Sequence, residues 1–146
     1  MFDLDCCCAA SIGDSVNLAS RLEGLNKVYG TSIIISGAVH NKVEGAMVTR
    51  LLDFVVVKGK SKAVRIYELL GKKEDFGHLE EDCNLFKRAF EQYLRRHFKG
   101  AIAMFEAYLQ KHPGDKAALR HINTCRDFIH TPPPPTWNGA AHVEEK

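Results

Sequence analysis

The chain changes texture at GKKEDFGHL, residues 71–79, and this break limits the folds open to it. Before it, short β-branched runs alternate with helical spacing. After it, only helical spacing appears until a run of prolines. A charged, glycine-bearing stretch between periodic segments reads as a connection. The expected fold is α+β. A mixed half covers residues 13–71, a linker 72–79, helices 80–130, and an extended Pro-rich tail 131–146. Residues 1–12 have no clear period and read as an ill-defined leader.

The mixed half opens with a helix from Gly13 to Tyr29. Asp14 or Ser15 suits its cap, because a short side-chain oxygen accepts from the free N–H groups of the first turn. Val16, Ala19, Leu22 and Leu25 form one apolar stripe, and Gly30 follows as a stop. TSIIIS (31–36) is short and β-branched, as a buried strand is. Ser36 and Gly37 end it and begin a short helix through GAVHNKVEG. RLLDFVVV and AVRIYELL read as two strands around KGKSK, a hairpin with Gly59 near its tip. The order is helix, strand, helix, strand, strand.

In the second half, Leu85, Phe86, Ala89, Phe90, Tyr93 and Leu94 keep helical spacing. After a break at Phe98–Gly100, Ala101, Ile102, Phe105, Tyr108 and Leu109 do so again. Pro113 and Asp115 open a third helix that runs to about Ile129. Four prolines at 132–135 then impose an extended path, and Trp137 docks the tail on a nearby surface. Each half is near the lower limit for a core of its own, so the halves pack on each other or on a partner.

A formal charge of +2 with no run of like charges argues against nucleic acid as a partner. The longest apolar runs fall far short of the ~20 residues of a membrane helix. Residues 1–11 lack the basic and apolar regions of a signal peptide. Five cysteines occur, three adjacent at Cys6–Cys8, with no C-x-x-C pair. Neighbouring cysteines cannot all aim at one tetrahedral metal, so reduced thiols in a cytoplasmic protein are expected.

The string GDSVNLASRLEGLNKVYGTSIIIS, followed by DFVVVKGKSKAVRIYELLG, resembles the C-terminal part of a class III nucleotidyl cyclase domain. Three motifs carry the resemblance, in the family's order and spacing, over roughly residues 11–71. They are G-D-x-V-N-x-A-x-R-L-E, Y-G-T-x-I-I-x-S, and V-K-G-K leading to I-Y-E-L. The resemblance implies a partial ferredoxin-like domain. It also implies conversion of ATP, more than GTP, into a 3′,5′-cyclic nucleotide and pyrophosphate. The second half resembles the tetratricopeptide-like tail of a bacterial branch of that family, through FKGAIAMFEAYLQKHPGD and the closing string CRDFIHTPPPPTWNGA.

By this resemblance Asn17 orients the ribose and Arg21 meets the charge that develops at the α-phosphorus. A guanidinium does the latter with paired hydrogen bonds. Four residues apart on a helix, the two share one face. Lys58 matches the lysine that contacts the terminal phosphates, with Lys60 a weaker candidate; a lysine suits such a point-charge contact. An isolated N-x-x-x-R or KGKSK is ordinarily solvated surface, and only the surrounding strings give these residues a role.

The family reaction uses Mg or Mn, held by two aspartates on earlier strands. Asp3 and Asp5 do not match those strands, so no metal-binding residue is assigned here and no metal is expected on this chain alone. Ala10 stands at a base-recognition position and cannot hydrogen-bond a purine edge. The match fades at Ser11. The expectation is a cyclase fragment that is inactive by itself and works as a homodimer or with a complementary fragment. TSIIIS and DFVVV would then leave unpaired sheet edges. The alternative is a non-catalytic helical interaction module with a vestigial cyclase half, although one helix pair is few for a repeat groove.

Overall fold

The computed structural model describes Leu22, residues 24–57 and residues 63–143 of the 146-residue chain. Its order is mixed, as expected of an α+β chain. Helix α1 includes residues 24–29. Then come β1 (Ile34–Ser36), α2 (Gly37–Val43), β2 (Met47–Val57) and β3 (Ala63–Lys72). A short α3 (Lys73–Phe76) and a 3-10 turn (Gly77–Leu79) follow. Three longer helices are α4 (Glu80–Leu94), α5 (Phe98–Lys111) and α6 (Lys116–His130), and a last strand is β4 (Ala141–Val143).

Ser36 does what its type and place suggest. Its hydroxyl accepts from the Val39 N–H at 3.3 Å and caps α2. Asp115 does the same for α6, accepting from Ala118 N at 2.9 Å. Across residues 72–79, read as the linker, β3 passes directly into α3 and the 3-10 turn. The break between α4 and α5 lies at Arg95–His97, just before the Phe98–Gly100 position read from the sequence. It turns on Arg96, whose φ of 68° is left-handed.

The sheet order is β1-β3-β2-β4. β1, β3 and β2 are antiparallel, and β4 joins β2 in parallel at Val55–Val57. The tail turns at Pro135–Thr136, where the Trp137 N–H donates to the Pro134 carbonyl at 2.9 Å, and ends in a strand that covers part of the β2 edge expected to be bare. β1, paired with β3, and β4 are the edge strands among the described residues.

β2 slips register at Val48/Thr49 and again at Leu51/Asp53. The second slip has a consequence for buried charge. Arg50 faces Glu68, and Asp53 faces Ile66. Glu68 and Ile66 are two apart and share a face of β3, so Arg50 and Asp53 share a face although they are three apart. The extra residue, Leu52, is the bulge that permits it.

One core joins both halves. Leu25 and Tyr29 of α1 and Leu52, Val55 and Ile66 of the sheet meet Phe86, Phe90, Phe105 and Ala118 of the helices. A smaller cluster of Ile35, Val39, Val43 and Leu69 lies under α2. The larger cluster thus draws on both halves, as expected of two pieces each near the lower size for a core of its own.

Candidate functional site

Asn17, Arg21 and Lys58, together with Asp14, Lys60 and Cys6–Cys8, lie outside the described residues. The structure describes the frame around them. Leu22 and residues 24–29 are helical and follow Asn17 and Arg21 in the chain. β2 leads to the 58–62 segment and β3 leaves it.

The end of α1 is held at three points. The Tyr29 hydroxyl donates to Asp53 Oδ2 at 2.6 Å. The Lys116 ammonium donates to the Lys27 carbonyl at 2.9 Å. The Arg120 guanidinium lies 5.5 Å from the centre of the Tyr29 ring. Gly30 closes the helix at φ +68°, and a Cβ there would come within 2.8 Å of Lys116 Cδ. Only glycine meets both requirements without strain. Tyr29 is fully buried, and burial followed by the Asp53 carboxylate pushes its phenol pKa far up, so it remains a donor.

A second polar centre ties the sheet to the helices. Arg50 is 3% exposed. Its guanidinium reaches Glu68 Oε1 at 2.7 Å, Asp115 Oδ2 at 3.0 Å and the Tyr108 hydroxyl at 2.8 Å. The Phe86 ring lies 4.7 Å below. Burial alone would loosen the guanidinium's proton, but Glu68, Tyr108 and Asp115 outweigh it and the pKa rises. Burial raises the Glu68 pKa, against the opposing pull of Arg50. Taking these charges out of water is costly, so the pairing matters chiefly as geometry: β2, β3, α5 and the α6 cap are locked in one arrangement.

Two further groups are buried and satisfied. His121 Nε2 donates to the Leu52 carbonyl at 2.7 Å, inside a ring of Phe86, Phe90 and Phe105. That bond uses the carbonyl that the bulge turns toward the helices. Asp53 also accepts from the Phe54 N–H at 2.8 Å. Burial pushes the Cys83 thiol to about 11 and Cys125 to about 12, so neither is a thiolate nucleophile at neutral pH.

Arg50, Asp53, Glu68 and His121 are the polar residues that sequence reasoning missed. Asp53 interrupts the apolar run LLDFVVV, and that interruption was the available signal. Among the described residues, no group of three or more His, Cys, Asp or Glu side chains is placed to hold a metal ion. No described helix is long and apolar enough to cross a membrane.

Comparison with known proteins gives three informative similarities. The chain is 36% identical over 126 residues to the terminal-differentiation-specific adenylate cyclase of Dictyostelium discoideum, covering 83% of this chain and 6% of that protein. It is 49% identical over 61 residues to adenylate cyclase 1 of Rhizobium meliloti (strain 1021), covering 42% and 9%. It is 48% identical over 61 residues to the adenylate cyclase of Anabaena cylindrica, covering 40% and 12%. The chain thus spans 6–12% of the length of these curated relatives and carries an adenylate cyclase-related region. No protein-family profile matches it, and no solved structure does.

Proposed function

We propose that this chain supplies the transition-state and phosphate contacts of a class III adenylate cyclase site, in which ATP becomes cyclic AMP and pyrophosphate. One observation carries the reading: the similarity to the Dictyostelium cyclase extends over 83% of the chain. A match of that extent runs through both the sheet half and the helical half.

On this reading the sheet and α1 are part of a ferredoxin-like cyclase domain, and residues 80–130 are its tetratricopeptide-like tail. As the 3′-oxygen attacks the α-phosphorus, negative charge gathers on the phosphoryl oxygens. Arg21 meets that charge with two parallel N–H donors, Asn17 orients the ribose, and Lys58 holds the terminal phosphates. Mg or Mn, when bound, neutralises phosphate charge and activates the 3′-hydroxyl. The two aspartates that would hold it would be supplied by a complementary cyclase segment, since a second copy of the matched residues adds none. The anchoring of α1 at Tyr29, Lys27 and Gly30 fixes the far end of the catalytic helix. A misplacement there would be felt at Arg21.

An interaction module with a vestigial cyclase half fits less well. Such a module needs a core of its own, and here the helices share theirs with the sheet and α1.

The test is a cyclase assay with ATP and Mn. The purified chain alone should form no cyclic AMP. A cyclase segment bearing the two aspartates should restore formation, and Arg21→Ala should abolish the restored activity. Restored activity indifferent to Arg21→Ala would overturn the assignment, and so would full activity of the chain by itself.

A further inference from the structure

A groove of about 270 Å³ lies between α2, the β2–β3 pair and the first half of α4. Three cationic side chains from three elements line it: Arg65 of β3, Lys73 of α3 and Lys87 of α4. All three are exposed, and no ion pair among the described residues engages any of them. Arg50, Lys111 and Arg126 each meet a carboxylate.

Two carboxylates also line the groove, and one is already engaged. Glu44 Oε2 holds His40 Nε2 at 3.1 Å. His40 resists protonation, so Glu44 keeps its charge, and with Glu80, in the first turn of α4, it stands against three cations: the groove keeps a net positive charge. The wall is stiff. His40 stacks on Tyr67 with centroids 3.8 Å apart and planes 1° from parallel, and its Nδ1 bonds the Thr49 hydroxyl at 2.9 Å. Lys87 is near enough to oppose protonation of His40, after burial and against the pull of Glu44. The Asn84 amide adds a neutral donor on the α4 side.

We propose that this groove binds a small phosphate-bearing anion, either free phosphate or a phosphomonoester. A doubly charged phosphate gains more from several converging cations than a monocarboxylate does. The planar fork of Arg65 matches two phosphate oxygens, and the lysines meet the rest as point charges. The volume equals that of about nine waters at ~30 Å³ each. It suits a phosphate with a small organic group and is below the 300–1,000 Å³ common for larger ligands. The proposal uses none of Asn17, Arg21 and Lys58, so it stands apart from the cyclase reading.

The experiment is a titration of the 15N-labelled 146-residue chain with inorganic phosphate and with glycerol phosphate. Sodium chloride of matched ionic strength is the control. Saturable shifts are expected at the amides of Thr49, Arg65, Asn84 and Lys87. Arg65→Ala and Lys87→Ala should each weaken binding about tenfold, whereas Glu80→Gln should strengthen it. These side chains are exposed, so the variants should keep the native spectrum elsewhere, and Glu80→Gln gives a gain that misfolding cannot mimic. Tighter binding of glycerol phosphate identifies an ester as the ligand, and equal binding identifies phosphate itself. Shifts reproduced by sodium chloride, or affinities unchanged in both cation variants, would overturn the proposal.

Discussion

The hydroxyl of Tyr29 donates to Oδ2 of Asp53 across 2.6 Å, and both side chains are almost wholly buried. This bond ties the end of α1 to the bulged part of β2. Among the described residues the carboxylate has one other donor, the Phe54 N–H.

Tyr29→Phe keeps the ring and removes only the donor. A buried carboxylate that loses a hydrogen bond costs about 1.5–3 kcal/mol. Urea unfolding followed by circular dichroism should show a lower midpoint with an unchanged slope. If the cyclase reading holds, the restored activity should fall as well, because α1 is then free to shift. A midpoint unchanged within error would show that the bond adds no net stability.

Arg50 is the more costly residue to remove. Arg50→Met leaves Glu68 and Asp115 without their buried partner, and breaking such a pair typically costs about 3–5 kcal/mol. Lysine is a poor replacement, since it cannot reach Glu68, Asp115 and the Tyr108 hydroxyl with one planar fork. The double variant Arg50→Met, Glu68→Leu removes both charges and should regain much of the loss, while Asp115 keeps its capping bond to Ala118. A double-mutant cycle in urea measures this recovery. Strict additivity would contradict the picture of one coupled centre.

His40 sets a pH dependence. Burial, aided by Lys87 and opposed by Glu44, holds its folded-state pKa below the usual value near 6.5. Below that pH the unfolded chain takes up a proton that the folded chain refuses. Stability from this group is therefore complete above about pH 6.5 and declines as the pH falls toward the lowered value. Urea midpoints at pH 7.5 and 5.5 should differ more in the native chain than in His40→Gln. An identical pH response in both would assign the dependence to other groups.

Some of this arrangement was legible in the sequence. Ser36 and Asp115 act as caps because short oxygen-bearing side chains at helix starts have one main use. The hairpin of β2 and β3 followed from two β-branched runs around a glycine. The placement of Arg50 and Asp53 on one face did not, because period-2 alternation puts residues three apart on opposite faces and only the Leu52 bulge reverses this. The turn at Arg96 was displaced in the reading because the left-handed residue is an arginine, while the nearby glycine, Gly100, lies inside α5. β4 is three residues long and carries no period of its own; it exists because β2 offers an edge. Asn17, Arg21 and Lys58 rest on their surrounding motifs, and their assay is the cyclase reconstitution.

The tail gives the last prediction. The Trp137 ring meets Tyr93 and Phe128 at 5.3 Å each and Phe98 at 6.1 Å. Arg96 lies 5.3 Å over the same ring, and its guanidinium donates to the Pro133 carbonyl at 3.1 Å and the Pro134 carbonyl at 2.7 Å. Next to it Gly139, at φ +92°, brings the chain so close to Leu94 that a Cβ would overlap Leu94 Cδ2. These contacts hold the strand-bearing end of the tail beside β2. Trp137→Ala removes the ring that Arg96 and three aromatics share. Since Trp137 is only half-buried, the cost should be about 3 kcal/mol, the low end for a buried aromatic. The effect should also be local: hydrogen exchange should quicken at Ala141–Val143 and at Val55–Val57, while the amides of α4 stay protected to the global limit. Uniformly faster exchange across the sheet and helices would show instead that the tail is part of the main cooperative unit.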